Sequence, residues 1–238
     1  MGSNTRHLKR HSMPTAWPVK RKNIAFISKP NPGSHKLDYS VSLLLLLRDV
    51  LGYAQNAKEA RYIVNNQTVN VNGKKATSIK KPLGLFDVVE FPLIEKRFVI
   101  LFDEFGKIKL VNKKDNNLIL KVVGKKHAKG KKYQLNAMNG YNLYVDEKTF
   151  KKISVGDSVS YDPVKKKVLS TIPLDKKSFV YIFDGKYRGQ FGQVEDFVHF
   201  SGLAKDTADI IIDGVSQKTL KEYCYPVTLK EEEVKEFQ

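Results

Sequence analysis

The sequence predicts a multi-domain α+β chain: a basic extended N-terminal arm, one small helix-helix-strand unit, and then mostly β structure ending in a small barrel. Three observations predict it. Helical periodicity is concentrated in residues 40–66, short β-rich runs separated by turn residues fill most of the chain from 96 onward, and residues 1–37 are basic and Pro-punctuated with little to build a core. The divisions expected are 1–39 for the arm, 40–95 for the helix-helix-strand unit, 96–172 for a central β domain, and 173–238 for a barrel with an acidic tail.

In the arm, Pro14, Pro18, Pro30, Pro32 and Gly33 break any long helix. Such a segment, with isolated aromatics at Trp17 and Phe26, is expected to gain its ordering energy only by lying on a partner. Ser40 or Ser42 can cap a helix carrying Leu43 to Leu47, Val50 and Leu51, and Gly52 stops it. Asn56 with Glu59 three residues on is close to a capping box, opening a second helix whose inner face carries Ala57, Ala60, Ile63 and Val64. Thr68 to Asn72 alternates as a strand and runs into Asn72-Gly73, a strong hairpin signal that places Lys74 and Lys75 at its tip. Val88 to Phe91 completes the unit.

Beyond residue 96, strands are expected at Phe98–Phe102, Ile108–Val111, Leu118–Val123, Leu143–Val145, Ser158–Tyr161 and Val168–Ile172. Lysines crowd the loops, in Lys125-Lys126 with Lys129, Lys131 and Lys132, and in Lys165 to Lys167. A third unit follows Pro173, with strands at Phe179–Phe183, Gln193–Val198 and Ile210–Ile212 and a Gly-rich loop between the first two. The tail from Glu231 is expected to be solvated or helical.

Composition narrows the function. The 238 residues hold 42 Lys+Arg against 25 Asp+Glu, a formal charge of +17. Each phosphate neutralised by such a cation releases condensed counterions, so nucleic acid is the favoured partner. The surplus is uneven: residues 1–37 hold eight Lys/Arg, three His and no acid. A lone Cys224 excludes an internal disulfide and any multi-cysteine zinc site, so a metal would have to rest on His7, His11, His35, His127 and His199. Most of these stand in basic stretches, where phosphate contact is the better use. The Leu43–Leu47 run is far short of the roughly 20 residues a membrane span needs. A basic, Pro-punctuated beginning argues against a secretory leader, so a cytoplasmic protein is expected.

Leu47-Arg48-Asp49, Lys58-Glu59-Ala60-Arg61 and Val69-Asn70-Val71-Asn72-Gly73-Lys74, a helix pair followed by a basic hairpin, resemble the S-four RNA-binding domain. Gly185-Lys186-Tyr187-Arg188-Gly189-Gln190-Phe191-Gly192, between two apolar strands, resembles a KOW motif. His7-Leu8-Lys9-Arg10, Pro14, Trp17-Pro18, Arg21-Lys22 and Pro30-Asn31-Pro32-Gly33-Ser34-His35 are similar to the opening of the S-four-e family of small-subunit ribosomal proteins from archaea and eukaryotes. Gly84-Leu85-Phe86-Asp87-Val88, Tyr133-Gln134-Leu135 with Asn139-Gly140-Tyr141-Asn142, and Val155-Gly156-Asp157-Ser158-Val159 extend the resemblance over nearly the whole chain. It departs at Asn139 and Asn72, where the family commonly carries Asp, and at Met138, where it often has His. These changes leave the basic positions intact. The absence of an extended C-terminus looks more like the archaeal than the eukaryotic members, so an archaeal-type protein is expected.

The resemblance implies an S-four domain, a central β domain and a KOW-type SH3-like barrel. It further implies a structural protein of the small ribosomal subunit, in the ribosome, that binds rRNA beside neighbouring ribosomal proteins and needs no cofactor. Residue chemistry then proposes phosphate contacts from Arg6, Lys9, Arg10, Arg21, Lys22, Arg48, Lys58, Arg61, Lys74 and Lys75, with Lys186 and Arg188 reaching phosphate from the loop. Trp17, His7, His35 and Tyr187 are the candidates to stack on or bond to exposed bases. An RNA-modifying enzyme is the first alternative. It is disfavoured because no nucleotide-binding glycine signature and no Gly-Arg-Leu-Asp type context follows residue 95. A translation or transcription factor with a large free pool is the second.

Overall fold

The computed structural model describes residues 7–22, 24–66, 69–113, 115, 117–128 and 132–227. The chain clusters into two compact units, one made of residues 1–101 and 106–116, the other of 102–105 and 117–238.

In the first unit the N-terminal segment is not a free arm. Strands β1 (Leu8–Lys9) and β2 (Phe26–Ile27) pair antiparallel. Met13, Ala16, Trp17 and Ile27 are buried, and the backbone is stitched to the rest of the unit through Ile108 N–H to Ala16 O (2.8 Å) and Asn31 N–H to Lys80 O (2.8 Å). The expectation of ordering only on a partner is therefore corrected: the scattered apolar residues of the segment join the unit's own core.

A second correction falls on residues 40–51. Ser42 caps as expected, but Ser40–Ser42 also form a strand, β3, which pairs with β6 (Pro82–Gly84), and the α-helix they lead into is far shorter than expected. Ser42 Oγ then accepts the Leu45 N–H and starts a single turn, α1 (Leu43–Leu45). The chain widens at once into a π-helical turn over Leu46–Val50, closed by Leu51 N–H to Leu46 O at 2.9 Å. All five leucines are buried, so the run has no polar face around which a longer amphipathic helix could be organised.

Helix α2 (Ala57–Asn66) begins as its residues demand. Asn56 Oδ1 accepts the Lys58 and Glu59 N–H groups, and Glu59 reaches back to Asn56 Nδ2 and to the Gln55 N–H. Strands β4 (Asn70–Val71) and β5 (Lys74–Lys75) flank Asn72 and Gly73, both at positive φ (53° and 71°), the backbone of a type I′ hairpin turn. With β7 (Val88–Phe91), β8 (Lys96–Phe102) and β9 (Ile108–Asn112) they make a five-stranded sheet ordered β5-β4-β7-β8-β9.

The second unit holds two five-stranded antiparallel sheets. The first, ordered β12-β11-β10-β13-β14, contains β10 (Leu118–Ala128), β11 (Lys132–Ala137), β12 (Asn142–Val145), β13 (Ser158–Asp162) and β14 (Lys167–Ile172), with a six-residue helix α3 (Glu147–Lys152) inserted after β12. The second is ordered β18-β17-β16-β15-β19, from β15 (Phe179–Ile182), β16 (Phe191–Val198), β17 (Thr207–Ile212), β18 (Val215–Leu220) and β19 (Cys224–Pro226). Its core is Val180, Ile182, Val194, Ala208, Ile210 and Cys224.

The two sheets of this unit are joined by polar groups that are themselves buried. Tyr225 OH donates to Ile119 O (2.8 Å) and accepts the Lys121 N–H (2.9 Å). The Lys121 ammonium donates to the carbonyls of Glu222 (2.7 Å) and Cys224 (2.6 Å). Asp157 accepts from Ser154 N–H and Leu174 N–H, bracing the turn that feeds β13 and the segment that leads to β15.

Burial pushes Lys121 down to about 8 and the neighbouring Cys224 thiol up to about 11. Between pH 8 and 9 only the unfolded chain carries the Lys121 proton, so stability from this pair rises with pH, by about 1.4 kcal/mol per unit for one proton. Above pH 9 the unfolded thiol ionises first and the opposite slope offsets the rise. Urea denaturation of the wild type is expected to show stability from this pair climbing from pH 8 to 9 and then levelling, and in Lys121→Met the climb is expected to be absent. In Cys224→Ala the climb is expected to continue toward pH 10.5, and identical profiles for all three proteins would remove Lys121 as the cause.

Candidate nucleic-acid interface

Basic side chains are displayed wherever the backbone turns. Lys58 and Arg61 lie one helical turn apart on the exposed side of α2, opposite buried Ala60 and Val64. Lys74 and Lys75 stand exposed on the far arm of the Asn72-Gly73 turn. Arg48, on the π-helical turn, donates through Nε (3.2 Å) and Nη2 (2.8 Å) to Asp49. A partly exposed pair of this kind is worth only about 0–1 kcal/mol, so a phosphate can replace the carboxylate.

The N-terminal residues divide sharply. Arg6 lies outside the described residues. His7, Lys9, Arg21 and Lys22 are exposed, and His7 packs edge-on to Phe26 with ring centroids 5.9 Å apart. Arg10 is 5% exposed, carried inward by the 3-10 turn Arg10–Ser12, and its Nε and Nη1 have no hydrogen-bond partner among the described residues. Trp17, expected as a stacking platform, is 2% exposed and gives its indole N–H to Ser40 O at 2.7 Å. Its ring is core, leaving Lys20, Arg21 and Lys107 on a surface cleft that it helps to line.

His35 is likewise turned inward. Its Nε2 lies 2.9 Å from Asp87 Oδ2 with both side chains nearly buried. A Cβ on Gly84 would fall 2.2 Å from the His35 ring, so the glycine is what lets the ring in. Asp87 also accepts the Gly84 N–H and the Asn72 side-chain amide, each at 2.8 Å, while Asn72 Oδ1 accepts the Val88 N–H at 2.8 Å. An aspartate at 72 would set a second carboxylate against Asp87 in the interior; the amide instead supplies both a donor and an acceptor.

In the second unit, the Gly-rich loop has Gly185 and Gly189 at positive φ (87° and 91°). A Cβ on Gly189 would come within 1.9 Å of Asp103 O, which leaves glycine alone admissible there. Lys186 is exposed with Nζ 5.3 Å from the Tyr187 ring centre. Tyr187 is half-buried against the core of the second sheet and its hydroxyl donates to Gln217 Oε1. The Arg188 guanidinium lies 3.5 Å over the Phe102 ring. Of the three loop residues proposed for contact, only Lys186 is exposed.

Comparison with known proteins gives the lineage. Residues 1–38 match the RS4NT (NUC023) domain. The chain is 35% identical over 233 residues to the small ribosomal subunit protein eS4 of Methanococcus maripaludis strain C5, covering 93% of each sequence. The chain belongs to the eS4 family. Within that family it is also similar to the protein of Methanothermobacter thermautotrophicus, 32% identical over 230 residues, covering 94% of this chain and 93% of the relative. A solved structure, the 30S ribosomal protein S4e from Thermoplasma acidophilum, superposes with a TM-score of 0.66 at 24% identity, over 80% of this chain and 95% of the other, and shows the shared fold.

Sequence reasoning missed the inward roles of Trp17, Arg10 and His35, and the buried Lys121. Only for His35 did a local signal exist, since Gly84-Leu85-Phe86-Asp87 pairs a carboxylate with a glycine small enough to admit a ring.

Burial by itself would lower the His35 pKa, but the hydrogen bond and charge of Asp87 outweigh it and hold the imidazolium above its ordinary 6.5. A raised pKa means that the stabilisation is complete below pH 6.5 and is lost as pH rises through the folded-state value. Thermal melts from pH 5.5 to 8 are expected to show this loss in the wild type and not in His35→Gln. Truncation to alanine at pH 6 is expected to cost about 2–4 kcal/mol, because it leaves Asp87 short of a buried partner. Parallel melting profiles for wild type and His35→Gln would exclude the ion pair as a contributor.

Proposed function

We propose that this chain is a structural constituent of the small ribosomal subunit that binds rRNA and supports subunit assembly and translation in the cytoplasm. Neighbouring ribosomal proteins would complete its surroundings. The proposed division is a basic N-terminal segment (1–39), an S-four-type domain (40–95), a central β domain (96–172) and a KOW-type SH3-like barrel (173–238), with strands β8 and β9 at the start of the central stretch completing the sheet of the first unit. For the barrel, the support is the β15-to-β18 meander with β19 returning beside β15.

One observation carries the proposal. Lys58, Arg61, Lys74 and Lys75 stand exposed with no acidic partner among the described residues, while Asp87 and Asp157 are buried and spend their oxygens on backbone and side-chain donors. These two carboxylates hold turns from within, and the four outward cations are left for a polyanion. Lys9, Arg21, Lys22, His7 and Lys186 add to the outward set, and Arg48 joins it on exchanging Asp49 for phosphate. Contacts from rigid turns to phosphate spaced along a folded RNA select for shape more than for sequence.

The relatives' names support the subunit, and the geometry supports the polyanion. Sedimentation of a lysate at moderate salt is expected to place nearly all of the chain with small subunits; a large free pool would favour a dissociable factor. Replacing Arg48, Arg61 and Lys74 together by Ala is expected to weaken rRNA binding and lower the log-log salt slope by roughly 2 to 3, about 0.7–0.9 per lost contact. An unchanged slope would place the phosphate contacts elsewhere.

A further inference from the structure

The pairing of β10, β11 and β12 sorts their side chains onto two faces of one sheet. Leu135 opposes Lys125 on one side and Leu143 on the other, and both leucines are buried, so this face is interior. The alternate residues form the outer face. Lys126, Gln134 and Tyr144 stand in one row across the three strands, and Gly124, Asn136 and Asn142 in the next.

Among the described residues, the face stands open to solvent. Tyr144 is 66% exposed, Lys126 and Asn142 are exposed, and Gln134 and Asn136 are partly so. Gln134 Nε2 donates to Asn136 Oδ1 at 2.8 Å, which fixes both amides and leaves Gln134 Oε1 and Asn136 Nδ2 for other partners. A Cβ at Gly124 would touch only Asn136 Cβ, at 4.0 Å, so the floor of the second row is open. The result is a flat platform with one aromatic ring, three amides and a lysine.

We propose that this face seats an unstacked nucleotide of a looped or single-stranded RNA segment, with Tyr144 stacking on the base, Gln134, Asn136 and Asn142 meeting its edge, and Lys126 its phosphate. Every base has a π-face that a tyrosine accepts, and amides carry the donor and acceptor pairs that base edges match. Charge complementarity favours RNA over a protein partner. In these two rows the one large apolar surface is the Tyr144 ring, too little for the apolar centre that a protein interface is built around. The proposal rests on the reading of the chain as an rRNA binder and adds to it a site of different chemistry, since its central contact is uncharged.

That difference makes it separable. Binding of the full-length protein to protein-free small-subunit rRNA is measured as a function of salt for wild type, Tyr144→Ala, Tyr144→Phe and Lys126→Ala. Loss of the ring is expected to weaken binding about tenfold, the order of one base–aromatic stack, with the salt slope unchanged. The phenylalanine variant restores affinity, and Lys126→Ala lowers the slope by roughly 0.7–0.9. Ultraviolet crosslinks are expected in the peptide containing Tyr144. Because that side chain is exposed, melting temperatures of wild type and variants should agree, which separates a binding defect from a folding one. Wild-type affinity in Tyr144→Ala, or crosslinks confined to residues before 96, overturns the platform while leaving rRNA binding in place. Unchanged RNA affinity with lost retention in washed subunits would make the face a protein contact and also overturn it. Failure of the wild type to bind the RNA at low salt removes both readings together.

Discussion

The Asp87 carboxylate is the joint on which the first unit depends. It receives the Gly84 N–H from the end of β6, the Asn72 amide from the hairpin and the His35 ring from the N-terminal segment. Three pieces of chain far apart in sequence are thereby fixed to one buried anion. A buried carboxylate is costly unless its oxygens are satisfied, and here the satisfying donors are the elements that have to be positioned. The hairpin bearing Lys74 and Lys75 and the segment bearing Lys9, Arg21 and Lys22 are held by the same group.

This arrangement answers a problem that a +17 chain sets for itself. Like charges repel, and a compact state concentrates them. Negative charge placed inside, as at Asp87 and Asp157, moderates the repulsion and stays out of competition with an external polyanion. Lys121 shows the converse case. Turned inward, it hydrogen-bonds carbonyl oxygens and, among the described residues, no carboxylate, so burial lowers its pKa. A lysine on the surface of a strand and one beneath it are chemically different groups, although the sequence writes them alike.

That difference also explains what was legible in the sequence. Local chemistry was readable: the Asn56–Glu59 cap, the Asn72-Gly73 turn, and strands such as Ser158–Asp162 all follow from neighbours within a few residues. The resemblance brought out the basic hairpin and the Gly-rich loop. Decisions taken by tertiary packing were not readable. Trp17, Arg10 and His35 lie in a segment whose prolines and charges suggest exposure; the distant partners Ser40 and Asp87 reveal otherwise for Trp17 and His35, and burial alone does so for Arg10. Helix α3 escaped because six residues with one buried position, Phe150, are too short to show a period. Strand β18, Val215–Leu220, is polar along most of its length and has no alternation to betray it.

The inward turn of the N-terminal residues bears on affinity as well as on fold. A flexible basic tail must surrender its conformational freedom when it binds, and that loss subtracts from every phosphate contact it makes. Here Trp17, Ile27 and His35 have already fixed the segment to its own unit, so its outward lysines and arginines reach a partner with less left to order. The Gly-rich loop follows the same logic: Tyr187 bonded to Gln217 and Arg188 stacked on Phe102 hold its shape and leave Lys186 to project. Residues that sequence reading assigned to contact thus make the cations beside them part of a rigid surface, and in the proposed complex cations fixed in this way would discriminate between RNA contours that a flexible chain would bind alike.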